Sequence, residues 1–171
     1  MKHKPLPPLE ELKEFLDYNP DTGIFTWIKK PSHPVKVGQK AGSIDYARGY
    51  FRISFKGYLY LTHRLAYYMY HGIDPLEKLI DHIDGDKINN KINNLRLASK
   101  SQNSMNRSIL GSNNNSGVIG VNWVKRDRKW CARVTVDGFI KHLGLFINKE
   151  DAIKARKEGE IKYFGEFRGQ D

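Results

Sequence analysis

Asp81 and His82 stand side by side in the stretch Leu79-Ile80-Asp81-His82-Ile83-Asp84-Gly85, and Asn103 follows further along the chain. Asp81 offers a hard carboxylate oxygen and Asn103 a neutral amide oxygen, donors that suit Mg²⁺ or Mn²⁺ better than a soft metal. Two protein ligands leave several coordination positions to water and to phosphate oxygens, as Mg²⁺ sites on phosphate substrates usually do. His82, with an ordinary pKa of roughly 6.5, is able to be neutral at pH 7 and to take a proton from water. Activated water, a metal at a leaving oxygen and a positioned base are the parts that phosphodiester hydrolysis needs. Taken singly, an Asp-His pair before a glycine also fits a turn with a satisfied histidine, and an Asn-rich loop also fits a plain loop.

These side chains need elements to position them. Leu79 and Ile80 read as a short buried strand that delivers Asp81 and His82 to its end. Asp84-Gly85-Asp86 and Asn89-Asn90 tolerate turn geometry, so a loop follows. Leu95 and Leu97 alternate with Arg96 as a returning strand would. Ser99 with Gln102 three residues on is a capping box, so a helix begins at Lys100 and carries Asn103 and Asn106 on one face, with Arg107 four residues from Asn103. Successive strand side chains diverge, so Asp81 and His82 need a bend to serve one site.

The motif set is long: His63-Arg64-Leu65, Gly72 with Pro75, Ile80-Asp81-His82-Ile83-Asp84-Gly85, Asn94-Leu95-Arg96, and Gln102-Asn103 with Asn106. It resembles the active-site unit of HNH nucleases, the ββα-metal fold, and within them the phage HNH homing endonucleases. The resemblance implies that Asp81 binds metal, that His82 is the general base, and that Asn94 orients the base and its loop. It places Asn103 where many HNH enzymes have a histidine ligand, giving H-N-N in place of H-N-H. The Cys-x-x-Cys pairs that frame a structural zinc in other HNH proteins are missing, since Cys131 is the chain's one cysteine.

Composition sets the outer limits. The chain has 171 residues, 39% of them hydrophobic and 12% aromatic, enough for one ordinary domain or two small ones with a core. A formal charge of +10 makes a polyanion the natural partner. One cysteine rules out an intrachain disulfide and fits a reducing compartment. No apolar run of membrane length is present, so the expectation is a protein of the cytoplasm, that of the host if phage-encoded.

Before the motif, Leu9, Leu12, Phe15 and Leu16 recur at helical spacing. Asn19-Pro20-Asp21-Thr22-Gly23 is a turn, and Ile24 to Ile28 a strand; a YNPDTGIFTW segment also occurs at the start of phage HNH endonucleases. Gly49 to Tyr60 reads as a hairpin turning at Lys56-Gly57, and His63 opens a helix that Gly72 stops. Arg64 is a candidate phosphate contact.

Gly111 to Gly117 holds no apolar residue and reads as a flexible linker. Beyond it come strands over 118–124, 129–136 and 139–143, the last ending at Gly144, with a hairpin turn at Asp137-Gly138. A helix over 149–163 has Ala152, Ile153, Ala155 and Ile161 for packing. Gly120-Val121, Lys129-Trp130, Ala132, Leu143-Gly144 with Phe146, Ala152 and Phe164-Gly165-Glu166-Phe167 resemble the APETALA/ethylene-response-factor DNA-binding domain. The resemblance implies that the sheet enters the major groove with the helix behind it. Residues 111–136 carry five basic side chains against one acid, whereas 137–171 carry seven of each sign, so charge gathers on the first two strands. Trp123, Lys125, Arg126, Arg128, Lys129, Arg133 and Lys141 are the candidate DNA contacts. Ile119, Asn122 and Val124 stand where the plant domain often has base-reading arginines, so its target sequence does not carry over.

The expected fold is α+β: a ββα-metal HNH unit (79–108) preceded by β-hairpins and short helices within a nuclease region 1–110, a linker 111–117, and a three-stranded antiparallel sheet with one packed helix over 118–171. The expected activity is homing-type, site-specific DNA cleavage, nicking or double-stranded, with one divalent cation, Mg²⁺ or Mn²⁺. Duplex DNA is the expected partner, with no membrane and no obligate protein partner, the chain being a monomer or weak dimer. Two rivals stay open: an inactive DNA-binding regulator that uses the C-terminal sheet, and an RNA-binding module.

Overall fold

The computed structural model describes residues 5–106, 110 and 114–169. Arg107, Gly111, Ser112 and Asn113 lie outside these residues. The chain is α+β, with four small antiparallel sheets and short helices, and it divides into two compact units, one ending at Ala98 and the other beginning at Ser99. No helix among the described residues is long and apolar enough to cross a membrane.

In the first unit, helix α1 (Leu9–Phe15) leads directly into strand β1 (Leu16–Asn19), which pairs with β2 (Ile24–Trp27) across the Pro20–Gly23 turn. The sequence periodicity puts Leu16 on the helix. It instead lies on β1 opposite Trp27, and both side chains reach the core. Strands β3 (Ser43–Asp45), β4 (Tyr50–Phe55) and β5 (Tyr58–Leu61) form a sheet with β4 in the middle. Lys56 and Gly57 both take positive φ, the geometry a two-residue hairpin turn requires. Helix α2 (Thr62–His71) follows without a loop and stops at Gly72, whose φ of +71° is a left-handed cap. Strands β6 (Leu79–His82) and β7 (Leu95–Ala98) then pair antiparallel, so the expected hairpin is present. Leu12, Leu16, Phe25, Trp27, Ile53, Phe55, Leu65, Ile80 and Leu95 share one apolar core. That core seats β6 by Ile80, which leaves Asp81 and His82 to the loop end.

The second unit opens with α3 (Lys100–Met105), capped as expected: Gln102 N–H donates to Ser99 Oγ, and Ser99 N–H donates to the Gln102 side chain. Strands β8 (Val121–Val124), β9 (Lys129–Val136) and β10 (Phe139–Phe146) make a sheet ordered β10-β9-β8, backed by helix α4 (Lys149–Phe164). Helix α3 packs against β9 and the 3-10 turn Gly165–Phe167, and Asp137 N–H donates to Ser101 Oγ at 2.9 Å. Val118 to Gly120, expected in the first strand, precede it as a turn. Gly144 does not end β10. The strand runs on to Phe146 past a register shift between His142 and Gly144, a bulge that glycine's backbone freedom permits. Gly159 lets α4 approach the sheet, because a Cβ there would come within 2.6 Å of Leu143. Ala152, Ile153 and Ala155 pack as expected, but Ile161 is 61% exposed. It lies nine residues after Ala152, about two and a half helical turns, and so on the opposite side.

Of the expected linker, the described residues are held. Asn114 Oδ1 accepts hydrogen bonds from the backbone N–H groups of Ser116 and Gly117. The buried Ser116 Oγ lies 2.7 Å from the carbonyl of Val121, to which it donates.

Candidate active site

Asp81 and His82 are both nearly inaccessible, at 4% and 5% exposure. Register puts Asp81 directly opposite Arg96. Arg96 Nε donates to Asp81 Oδ2 at 2.9 Å, and Nη2 lies 2.8 Å from the same oxygen. The hairpin spacing is a usable signal for this pairing, which neither the strand alternation nor the Asn94-Leu95-Arg96 motif by itself assigns. His82 is flanked by aromatic rings, with His63 edge-on at 5.0 Å between centroids and Tyr50 at 6.2 Å. Burial raises the pKa of the Tyr50 hydroxyl, and the charge of Asp81 raises it further. Tyr50 thus lies beside the imidazole and within electrostatic reach of the carboxylate. Its place on β4, remote in sequence, carried no signal that reading the chain could use.

Burial also lowers the pKa of His82 from its ordinary value, although the Asn90 hydrogen bond and the charges of Asp84, Asp81 and Asp86 work against it. The imidazole is therefore neutral at pH 7 and holds a lone pair that can accept a proton.

The loop after β6 is braced by Asn94. Asp84 N–H donates to Asn94 Oδ1 at 3.1 Å, and Asn94 Nδ2 donates to Asp84 Oδ1 and to the Asn89 carbonyl, each at 2.9 Å. The Ile83 N–H donates to the backbone carbonyl of Asn94. Burial acts to raise the Asp84 carboxyl, but hydrogen bonds from Asn89, Asn94 and the Asp86 backbone outweigh it and leave its pKa below the usual value. Asn94 is thus bonded to the loop backbone. The asparagine at the His82 ring is Asn90, whose Oδ1 lies 3.4 Å from Nε2. In the sequence Asn90 reads only as a turn former.

Asn103 lies in the first turn of α3, in the second unit. Among the described residues no group of three or more His, Cys, Asp or Glu side chains could hold a metal. The donor chemistry at Asp81, a buried carboxylate beside a neutral imidazole, fits a hard ion that keeps most of its own water.

Arg64 is not placed to reach a phosphate. It is 4% exposed, donating from Nη1 to the Lys78 carbonyl and from Nη2 to that of Leu76, both at 2.9 Å, with Asp74 3.7 Å away. It ties α2 to the loop before β6.

In the second unit, partners across an antiparallel sheet point to the same face. Val121 pairs with Ala132 and Trp123 with Trp130, and Lys141 pairs with the buried Val134, so all six face α4. Lys141 Nζ sits 5.4 Å from the centre of the Tyr163 ring. Trp123 and Lys141 therefore do not share the face opposite the helix, where the sheet would meet DNA. Lys129 and Arg133 do, with Asn122 and Val124 beside them on β8. Lys125, Arg126 and Arg128 are exposed in the adjoining β8–β9 turn, Arg126 paired with Asp127.

The sequence profile of the HNH endonucleases matches residues 60–105, which run from the end of β5 through α3. The chain is 33% identical over 152 residues to an HNH endonuclease of Acanthamoeba polyphaga mimivirus, a match covering 85% of this chain and 73% of that protein. It is 42% identical over 64 residues to Protein 3.8 of Escherichia phage T7, 37% of this chain and only about half (52%) of the phage protein. No solved structure matches.

Proposed function

Since the chain belongs to the HNH endonuclease family, we propose that it is a site-specific DNA endonuclease of the homing type that hydrolyses phosphodiesters with one divalent cation. The observation that carries this reading is the buried His82 next to the buried Asp81 at the end of β6, where the loop braced by Asn94 begins. His82 accepts a proton from water as the water oxygen bonds to phosphorus. The bond from phosphorus to the leaving 3′ oxygen then breaks and that oxygen takes up a proton from solvent, giving 5′-phosphate and 3′-hydroxyl ends. Asp81 and, from the sequence motif, Asn103 would hold Mg²⁺ or Mn²⁺, which when bound would stabilise charge on the leaving oxygen. Arg96 holds the Asp81 carboxylate in place, and Asn94 keeps the loop in shape around His82.

The C-terminal sheet is proposed as a DNA anchor of the APETALA/ethylene-response-factor type, using Lys129 and Arg133 with the turn residues Lys125, Arg126 and Arg128. Two modest DNA contacts on one chain combine through effective concentration, which suits recognition of a long site by a small protein.

The test is cleavage of supercoiled plasmid and of a random-sequence duplex library in Mg²⁺, Mn²⁺ or EDTA, with His82→Ala and Asp81→Ala beside the wild type. Ends appearing only with metal, and lost in both variants, support the reading. Binding of duplex DNA without cleavage in either metal would establish the inactive regulator instead, and displacement of duplex DNA by RNA would establish an RNA-binding module.

A further inference from the structure

Asn90 is positioned from two sides. Its Nδ2 donates to the Ile88 carbonyl at 3.1 Å. A carbonyl only accepts, so the oxygen end of the amide is the one turned to the imidazole. That oxygen also only accepts, so Nε2 of His82 carries the hydrogen, and the tautomer this contact favours has its lone pair on Nδ1.

The backbone of Asn90 is gripped by the N-terminal hairpin, far away in sequence. The Tyr18 hydroxyl donates to the Asn90 carbonyl at 2.8 Å, and Ile92 N–H donates to the Pro20 carbonyl at 3.0 Å. Gly23, at φ +72°, lies so close that a Cβ would come within 2.5 Å of the Asn90 carbonyl carbon and 2.6 Å of the Lys91 nitrogen. The turn is itself fixed, since Asn19 Oδ1 accepts from the N–H groups of Asp21 and Thr22. None of these hairpin residues is needed as a ligand, base or phosphate contact in the mechanism above.

We propose that Asn90 is a positioning residue for His82, selecting the tautomer with its hydrogen on Nε2 and its lone pair on Nδ1, and that the β1–β2 hairpin holds Asn90 in register for this task. The inference deepens the nuclease reading and rests on His82 being its base.

The first measurement is the nitrogen NMR spectrum of the full-length protein with labelled histidine, the His82 signals being identified by their loss in His82→Gln. The wild type should show His82 protonated on Nε2 and unprotonated on Nδ1. In Asn90→Ala the two tautomers should mix, and single-turnover cleavage should fall about 10- to 100-fold, part of what a positioned base contributes, with KM for DNA changed less than about threefold. Asn90→Asp keeps an acceptor oxygen and should hold the tautomer. Tyr18→Phe, a milder change to the grip, should slow cleavage by a few-fold. A wild-type His82 protonated on Nδ1 overturns the proposal, as does an Asn90→Ala protein with unchanged tautomer and rate. Absence of cleavage in every variant would instead remove the nuclease reading, while the spectrum still decides the role of Asn90.

Discussion

Replacing Asn94 by alanine separates two ways in which that side chain could matter. Its amide makes three hydrogen bonds, all within the loop: one from Asp84 N–H, one to Asp84 Oδ1 and one to the Asn89 carbonyl. A hydrogen bond contributes about 1 kcal/mol net, and more when a buried partner is left unsatisfied. Asn94 is 8% exposed but Asp84 is exposed, so solvent can take over part of the loss. The expected cost is therefore about 2–3 kcal/mol, concentrated in the loop from Ile83 to Asn94. Amide hydrogen exchange is the direct assay, with Asp84 and Ile83 N–H losing protection before the β4 core does. Cleavage should fall along with that protection, and low temperature, which closes the loop, should recover part of it. The result that would refute the reasoning is a variant with wild-type exchange across the loop and no cleavage. Asn94 would then act on the reacting groups and not through the loop.

The remaining expectations follow from single contacts. His82 has a folded pKa below its unfolded value of roughly 6.5, so the unfolded state binds the extra proton and stability falls as pH drops below that value. The difference between wild type and His82→Gln in denaturant titrations should change there by at most about 1.4 kcal/mol per pH unit and become independent of pH above about pH 7; parallel curves throughout would contradict a buried neutral imidazole. Arg64→Met should cost about 2–4 kcal/mol, because two buried carbonyls lose a charged donor; unchanged stability with weakened DNA binding would restore Arg64 as a phosphate contact. Arg133→Ala should lower the salt dependence of duplex binding by about one unit of log K against log salt, while Lys141→Ala should leave it unchanged. Equal effects from the two would contradict the division of the sheet into a helix face and a DNA face.

Much of this site could be read from the chain because its determinants are local. The Ser99 capping box, the Gly72 stop and the alternation at Leu95–Leu97 each depend on residues a few positions apart, and each element formed where they indicated. The Asp137-Gly138 turn behaved likewise. What escaped reading depends on tertiary partners. Leu16 fits a helix by period but extends because Trp27 lies opposite. Arg64 looks like a free cation until the loop before β6 folds over it, and Lys141 alternates onto a face defined only once the Val134 pairing is known. Tyr50 and Asn90 enter the site through contacts that no spacing encodes.

The anchoring of α3 bears on how such proteins can be recombined. That helix is fastened to β9 through Ser101 and Asp137, within the same compact unit as the C-terminal sheet. A chimera joined within residues 111–117 would tear the helix from its seat. One joined after Ala98 would transplant it whole, carrying Asn103 along with the borrowed sheet.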